Sequence, residues 1–281
     1  MLLKKATRAD LRKFRRLGDR TADRFVPAEL TETLAMLGIR AGDVLLAHVA
    51  YRSFLGFLGG PSDVLVCLRD AVCPSGTLLM PSMPFIGSAV DYVQSGQVFD
   101  VRLTPSRMGV VTELFRGSPG TVRSLHPTHP VLANGPMAEE LLCDHQLART
   151  PCGEHSPFAK LPAAKGKIVL LGTGIDALTF YHYLEEVLEH AFFCSPFTEE
   201  MFAVPFLGSN GEALHVHTRL FDPGLSRRRD LGILERELKA AGVWREQMVG
   251  SLQVVVLEAQ IISDTLRAMV ERGVYCYVRA D

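Results

Sequence analysis

The chain has 281 residues, 47% of them hydrophobic and 22% charged, with a formal net charge of −1. So even a balance excludes a global field for gathering nucleic acid or an anionic membrane surface, and no apolar run approaches the roughly 18 residues of a membrane span. The six cysteines form no C-x-x-C pair and read as reduced thiols of a cytoplasmic protein.

Residues 1–25 hold nine of the 30 basic residues. They read as a solvated basic arm, with no apolar h-region and so no secretory leader. Residues 26–281 read as a single α/β domain, within which 196–250 form a smaller subdomain. "AELTETLAML" (28–37) has helical spacing, with Leu30, Leu34 and Leu37 on one face. "DVLLAHVA" (43–50) is a buried-type strand. "GGPSDVLVCLRDAV" opens a helix on Pro61-Ser62, and "GTLLMPSM" (76–83) is a second strand. Residues 84–106 lack periodicity and read as a long functional loop. A helix over "RMGVVTELFRG", a turn and strand over "TVRSLHPTHPVLANG", and a helix over "PMAEELLCDHQ" follow. "GKIVLLG" (166–172) is a strand leading into "TGIDALTFYHYLEEVLEHA", a turn and a helix. Beyond residue 195, "FAVPFLGSNGEALHVHTRLF" predicts a hairpin around Ser-Asn-Gly. "DLGILERELKAAG" predicts a helix. "LQVVVLEAQIIS" and "VYCYV" predict strands with a helix between them. Alternating strands and helices predict a three-layer α/β/α fold on a mixed, largely parallel sheet, with an antiparallel hairpin region added in the C-terminal third.

The helix after the strand at 166–172 carries the densest chemistry. His182, Glu185, Glu186, Glu189 and His190 sit at offsets 0, 3, 4, 7 and 8, on one helical face. Asp176 is placed to cap that helix. Three readings stay open from spacing alone. The stripe is a solvated surface; or a catalytic His182 is oriented by Glu185 one turn away; or facing helices complete a metal site, although no E-x-x-H or H-E-x-x-H spacing is present. "GTGIDA" fits a dinucleotide-binding turn, but position 192, where an acidic residue is wanted, is Phe. "RSLHPTHP" (123–130) holds His126 and His129 on a rigid turn. Ser106, in "LTPSRMG", is placed to cap a helix whose free N–H groups would face an anion. No P-loop and no nucleophile elbow occur.

In order, "LGIRAGDVLLAHVAYRS", "GGPSDVLVCLRDAVCPSGTLLMPSM", "LTPSRMGVVTELFRGSPGTVRSLHPTHPVLANG", "GEHSPFAKL", "GKIVLLGTGIDALTFYHYLEE" and "VGSLQVVVLEAQIISD" resemble the aminoglycoside 3-N-acetyltransferase family, over roughly residues 28–270. T-x-x-H-x-x-E is the most telling piece. The resemblance implies transfer of an acetyl group from acetyl-CoA to an amine of an aminoglycoside-like acceptor, an antibiotic-resistance activity without a covalent acyl-enzyme and without a metal. It implies His182 as general base, Glu185 as its orienting partner, and Asp176 as a further acid facing the substrate. It implies coenzyme contacts from His48, Val49, Ala50, Tyr51, Ser53, Ser106, Met108 and Gly109. Thr179 would lie near the thioester, where developing oxyanion charge needs a donor. His126, His129 and Glu186 would line the acceptor cleft. A homodimer, with neither nucleic acid nor membrane as partner, fits the same picture. The family's first loop usually reads His-Ser-Ser where this chain has His48-Val49-Ala50, and Ser where it has Pro130. A non-catalytic relative that binds a ligand or partner through the same cleft is the alternative. A dinucleotide-dependent oxidoreductase is a further one.

Overall fold

The structure, a computed structural model, describes residues 23–278. The basic arm lies outside the described residues up to position 22. At its end Phe25 is buried, 1% exposed, against Phe54 and Phe57.

A seven-stranded mixed sheet in the order β4-β5-β2-β1-β6-β10-β9 is the frame. Its strands are β1 (Val44–Val49), β2 (Thr77–Pro81), β4 (Val122–Arg123), β5 (Val131–Asn134), β6 (Lys167–Leu171), β9 (Arg245–Val249) and β10 (Leu252–Glu258). β1 pairs in parallel with both β2 and β6, and every other pairing in this sheet is antiparallel. The parallel part is thus the centre, and antiparallel strands flank it on both sides. A smaller sheet joins β3 (Phe99–Asp100) to the hairpin β7 (Phe202–Leu207) and β8 (Ala213–Thr218). The hairpin was legible in the sequence; its parallel partner β3 was not.

Helices cover both faces of the large sheet, which is why β6 reads as the unbroken apolar run "KIVLL". Ile168 and Leu170 face one core, while Val169 and Leu171 face the other, as a period of two requires. The second core is closed by α1 (Pro27–Met36), α2 (Pro61–Val72) and α4 (Val110–Arg116). The first is closed by α5 (Ala138–Leu142), α6 (Pro157–Lys160), α7 (Tyr181–Val187), α9 (Gly232–Ala240) and α10 (Ala259–Glu271). Local chemistry sets several starts. Pro27 and Pro61 open α1 and α2. Behind them, the backbone N–H groups of Val26 and Gly60 donate to Glu29 and Asp63 at 2.8 and 2.6 Å.

Four expectations needed correction. The loop 84–106 contains α3 (Ala89–Gln94), capped by the Ser88 hydroxyl, as well as β3; each is too short to leave a periodic trace. Glu258 ends β10, and "AQIIS" already belongs to α10. "VYCYV" is not a strand; it makes only a single bridge, Arg229 with Tyr277. The helix read over the residues up to 190 is broken. A 3₁₀ turn (Ile175–Ala177) precedes α7, α7 ends at Val187, and a second 3₁₀ turn (Glu189–Ala191) follows. α8 (Pro223–Ser226), capped by Asp222, links the small sheet to α9.

Candidate active site

Because β1, β2 and β6 run in parallel, their carboxyl ends share one edge of the sheet, where open α/β folds gather ligands. β5 is antiparallel to β2, with Pro81 opposite Val131, so the turn preceding β5 opens on the same edge. A cleft of about 630 Å³ lies there. It is lined from β1 and its loop by His48, Val49, Ala50, Tyr51 and Arg52, and from the turn before α4 by Arg107, Met108 and Gly109. Asp176, Thr179 and His182 come from the segment after β6.

Two glycines make the walls. Gly109 precedes α4 with φ of 120°, a conformation that L side chains rarely adopt. Gly172 ends β6 with φ of 64°, and a Cβ there would stand 2.6 Å from Ser53 Cβ and 2.7 Å from Leu252 Cδ1. Ser53 therefore does not line the cleft; it packs behind the wall, its N–H donating to Ala50 O at 2.8 Å. Ser106 is 8% exposed and turned inward. Its hydroxyl accepts from Met108 N at 3.2 Å and its N–H donates to Glu113. It does not cap α4, whose N-cap is Gly109.

His182 sits in the first turn of α7, and its Nδ1 is 2.6 Å from Glu185 Oε2. The i,i+3 spacing brings the two together. Glu185 is fully buried, which fixes the proton of a neutral imidazole on Nδ1 and leaves Nε2 free in a ring that borders the cleft. Burial, and then the Arg229 charge, hold the His182 pKa below its usual value, against the pull of Glu185. The lowered pKa favours the uncharged ring at pH 7. Phe221 packs on it at 4.4 Å between centroids, and His129 stands at 6.4 Å. Glu185 carries more than the histidine: Arg229 Nε donates to Oε1 at 2.9 Å, Nη2 to Oε2 at 3.2 Å, and the Tyr277 hydroxyl to Oε1.

The rest of the stripe does not share this face. Glu186 lies outside the cleft. It accepts from the Thr150 hydroxyl, and burial followed by Glu189 raises its pKa to about 7. Glu189 binds Arg219 at 3.2 Å, and His190 is exposed. Asp176 is exposed on the cleft wall in the 3₁₀ turn and caps no helix; α7 begins after Phe180 with no side-chain cap. Since no helix starts on Gly172-Gly174, the dinucleotide reading loses its strand–turn–helix. His126 is fully buried and is not among the residues that line the cleft. Its Nδ1 accepts from the N–H groups of Thr128 and His129 at 3.4 and 3.3 Å, which ties the turn, and it stacks on His145 at 4.6 Å. His129 is 5% exposed, beside the cleft rather than lining it. His48 borders the cleft with its Nε2 buried and unpartnered, and burial lowers its pKa to about 3. Among the described residues no group of three or more His, Cys, Asp or Glu is arranged to hold a metal, and no helix is long and apolar enough to cross a membrane.

Sequence reasoning missed Arg52 and Arg107, two exposed guanidiniums on the cleft, although each adjoins a residue singled out from the sequence. It also missed Phe221, Arg229 and Tyr277, which reach the site from distant parts of the chain and left no local signal.

A family model described as aminoglycoside 3-N-acetyltransferase matches residues 46–271. Aminoglycoside N(3)-acetyltransferase IV of Salmonella sp is 38% identical over 160 residues, 56% of this chain and 58% of that protein. The chain thus spans somewhat under two thirds of that relative's length. Among solved structures, AAC-IIIb in a binary complex with CoASH superposes with a TM-score of 0.73 at 27% identity, covering 91% of this chain and 99% of that one. A histidine-to-alanine mutant of AAC(3)-IVa in complex with a gentamicin superposes with a TM-score of 0.75 at 28% identity, covering 92% of each chain.

Proposed function

The chain belongs to the aminoglycoside 3-N-acetyltransferase family, and from that premise we propose that it is an acetyl-CoA-dependent N-acetyltransferase acting on an amine of an aminoglycoside-like acceptor. One observation carries the reading: a neutral imidazole, pinned through Nδ1 by a fully buried carboxylate, borders a cleft at the carboxyl ends of three parallel strands.

The cleft suits the co-substrate. Val49, Pro81, Met83 and Met108 give an apolar path for a pantetheine arm, and Arg52 and Arg107 give charge for phosphates. The thioester arrives already activated, so the protein has to supply a base, a donor and alignment. An ammonium is no nucleophile. His182 takes the proton of the attacking amine on Nε2, and Glu185 stabilises the imidazolium that results. Thr179, 6% exposed on the cleft wall, has a hydroxyl held only by a long 3.4 Å bond to Ala177 O, which it can exchange for the carbonyl oxygen as charge gathers there. Asp176 offers a carboxylate to a cationic acceptor at the same wall. The cleft also holds the two substrates together, which removes much of the entropic barrier. As the new C–N bond forms the C–S bond breaks, CoA leaves as the thiolate, and the imidazolium returns its proton to that sulfur; an acceptor amine that was an ammonium in water and reached the site as the free amine ends as a neutral amide.

The test is thiol release from acetyl-CoA with a panel of amines, set beside calorimetric binding of CoA. The expected result is release with an aminoglycoside, lost in His182→Ala while CoA binding persists. A parent protein that binds no CoA sinks the proposal; one that binds CoA but releases no thiol with any amine would make the chain a binding relative.

A further inference from the structure

Glu185 is fully buried and receives donors from three separate stretches of chain: His182 on its own helix, Arg229 from the turn between α8 and α9, and Tyr277 from the segment after α10. Arg229 and Tyr277 arrive as a unit. The Asp230 N–H donates to Cys276 O and the Val278 N–H to Arg228 O, both at 2.9 Å, while Arg228 Nε donates to Val278 O at 2.8 Å. Neither Arg229 nor Tyr277 lines the cleft, and Tyr277 lies beyond residue 271, where the family match ends.

We propose that Arg229 and Tyr277 are positioning residues that hold the Glu185 side chain with Oε2 fixed on His182 Nδ1, so that the chain's C-terminal segment supports the catalytic ring from behind the site. The inference rests on the reading of His182 as the base. A buried carboxylate without donors would turn away toward other partners. Here Tyr277 and Arg229 Nε hold Oε1, while Arg229 Nη2 shares Oε2 with the imidazole, so both oxygens are pinned and Oε2 stays against Nδ1. After burial, the guanidinium is the second influence that opposes protonation of the ring, against the pull of Glu185. The other groups facing the ring do not compete. His129, from the turn before β5, is held neutral by burial. Tyr181 is held as a phenol, its pKa raised well above the usual value. Phe221 has no charge. Asp176 is exposed on the cleft wall.

The experiment follows the His182 ring by NMR titration in the folded protein, alongside kcat/KM against pH. Arg229→Gln should raise the ring pKa by about one unit, the scale of a lost neighbouring charge, and move the acid limb of kcat/KM to higher pH by the same amount. Tyr277→Phe should move both in the same direction by less, and Arg229→Lys should restore most of the parent position. A folded Arg229→Gln protein whose ring titrates as in the parent overturns the inference, as does a variant that is merely less stable with an unmoved limb. If Arg229→Gln does not fold, Tyr277→Phe decides alone: an unmoved ring overturns it. The titration needs no turnover, so it stands apart from the base assignment, which fails separately if His182→Ala keeps full activity.

Discussion

His182 has a nitrogen for each task because its partner is buried. A carboxylate in solvent would exchange partners; Glu185 cannot, so the imidazole tautomer is fixed and Nε2 stays open to the cleft. Removing the ring in His182→Ala should lower kcat/KM by about 10²–10⁴-fold, the usual worth of a positioned base, with CoA affinity unchanged; steady-state thiol release against calorimetry checks both. Since the ring pKa is depressed, activity should fall only on the acid side of the ordinary histidine range, and a pH profile reads this directly. Glu186 is the neighbouring case with the opposite sign. Its pKa is raised to about 7 from an ordinary 4.5, so as pH rises through this window the unfolded chain sheds the proton first and the folded state loses stability. Glu186→Gln should therefore raise Tm at pH 8 relative to the parent and have little effect at pH 4.5, as scanning calorimetry would show.

At the scale of elements, the cleft depends on turns that only glycine makes. Gly172 ends β6 at a left-handed φ, packed against Ser53 and Leu252 behind the cleft wall. Gly172→Ala should cost about 1–2 kcal/mol for that conformation alone. The contact with Ser53 adds to it and should push the loop 50–53 into the cleft, weakening CoA binding; a denaturant midpoint and a binding isotherm measure the two effects. The strands β1, β2 and β6 were legible because burial on both faces writes apolar runs, and the pair His182–Glu185 was legible because i,i+3 spacing puts both on one turn. Breaking the helix at Val187 was not, because "YHYLEEVLEHA" keeps helical spacing through the break. β3 and β4, two residues each, take their meaning from distant partners. Arg229 and Tyr277 are the sharper lesson: they touch Glu185 from 44 and 92 positions away, and no window along the chain contains both ends of such a bond. His126 shows the reverse error. A His-Pro turn reads as a cleft motif, but its ring ties the turn from inside.

Across the whole molecule, buried histidines set the acid limit. Burial lowers His48 to about 3 and His145 to about 4, and holds His126 and His129 well below the usual 6.5. Each is neutral when folded and gains a proton on unfolding below pH 6.5, so their contribution is complete above that pH and is lost as pH falls toward the folded values. At pH 5 each of His48 and His145 should cost about 2 kcal/mol relative to pH 7, and urea midpoints across pH 5–7 should fall accordingly. The two sheets divide the molecule unevenly. One side of the cleft grows from β1 and β6 at the centre of the large sheet, between two extensive cores, the first of which also takes in Phe221, whereas β3, β7 and β8 share a core whose buried members among the described residues are Phe99, Val101, Phe206 and Val216. Local opening draws on the weakest core first. Amide deuteration should therefore reach β7 and β8 well before β1 and β6, while Phe221, seated in the large core, stays on the His182 ring as the small sheet breathes.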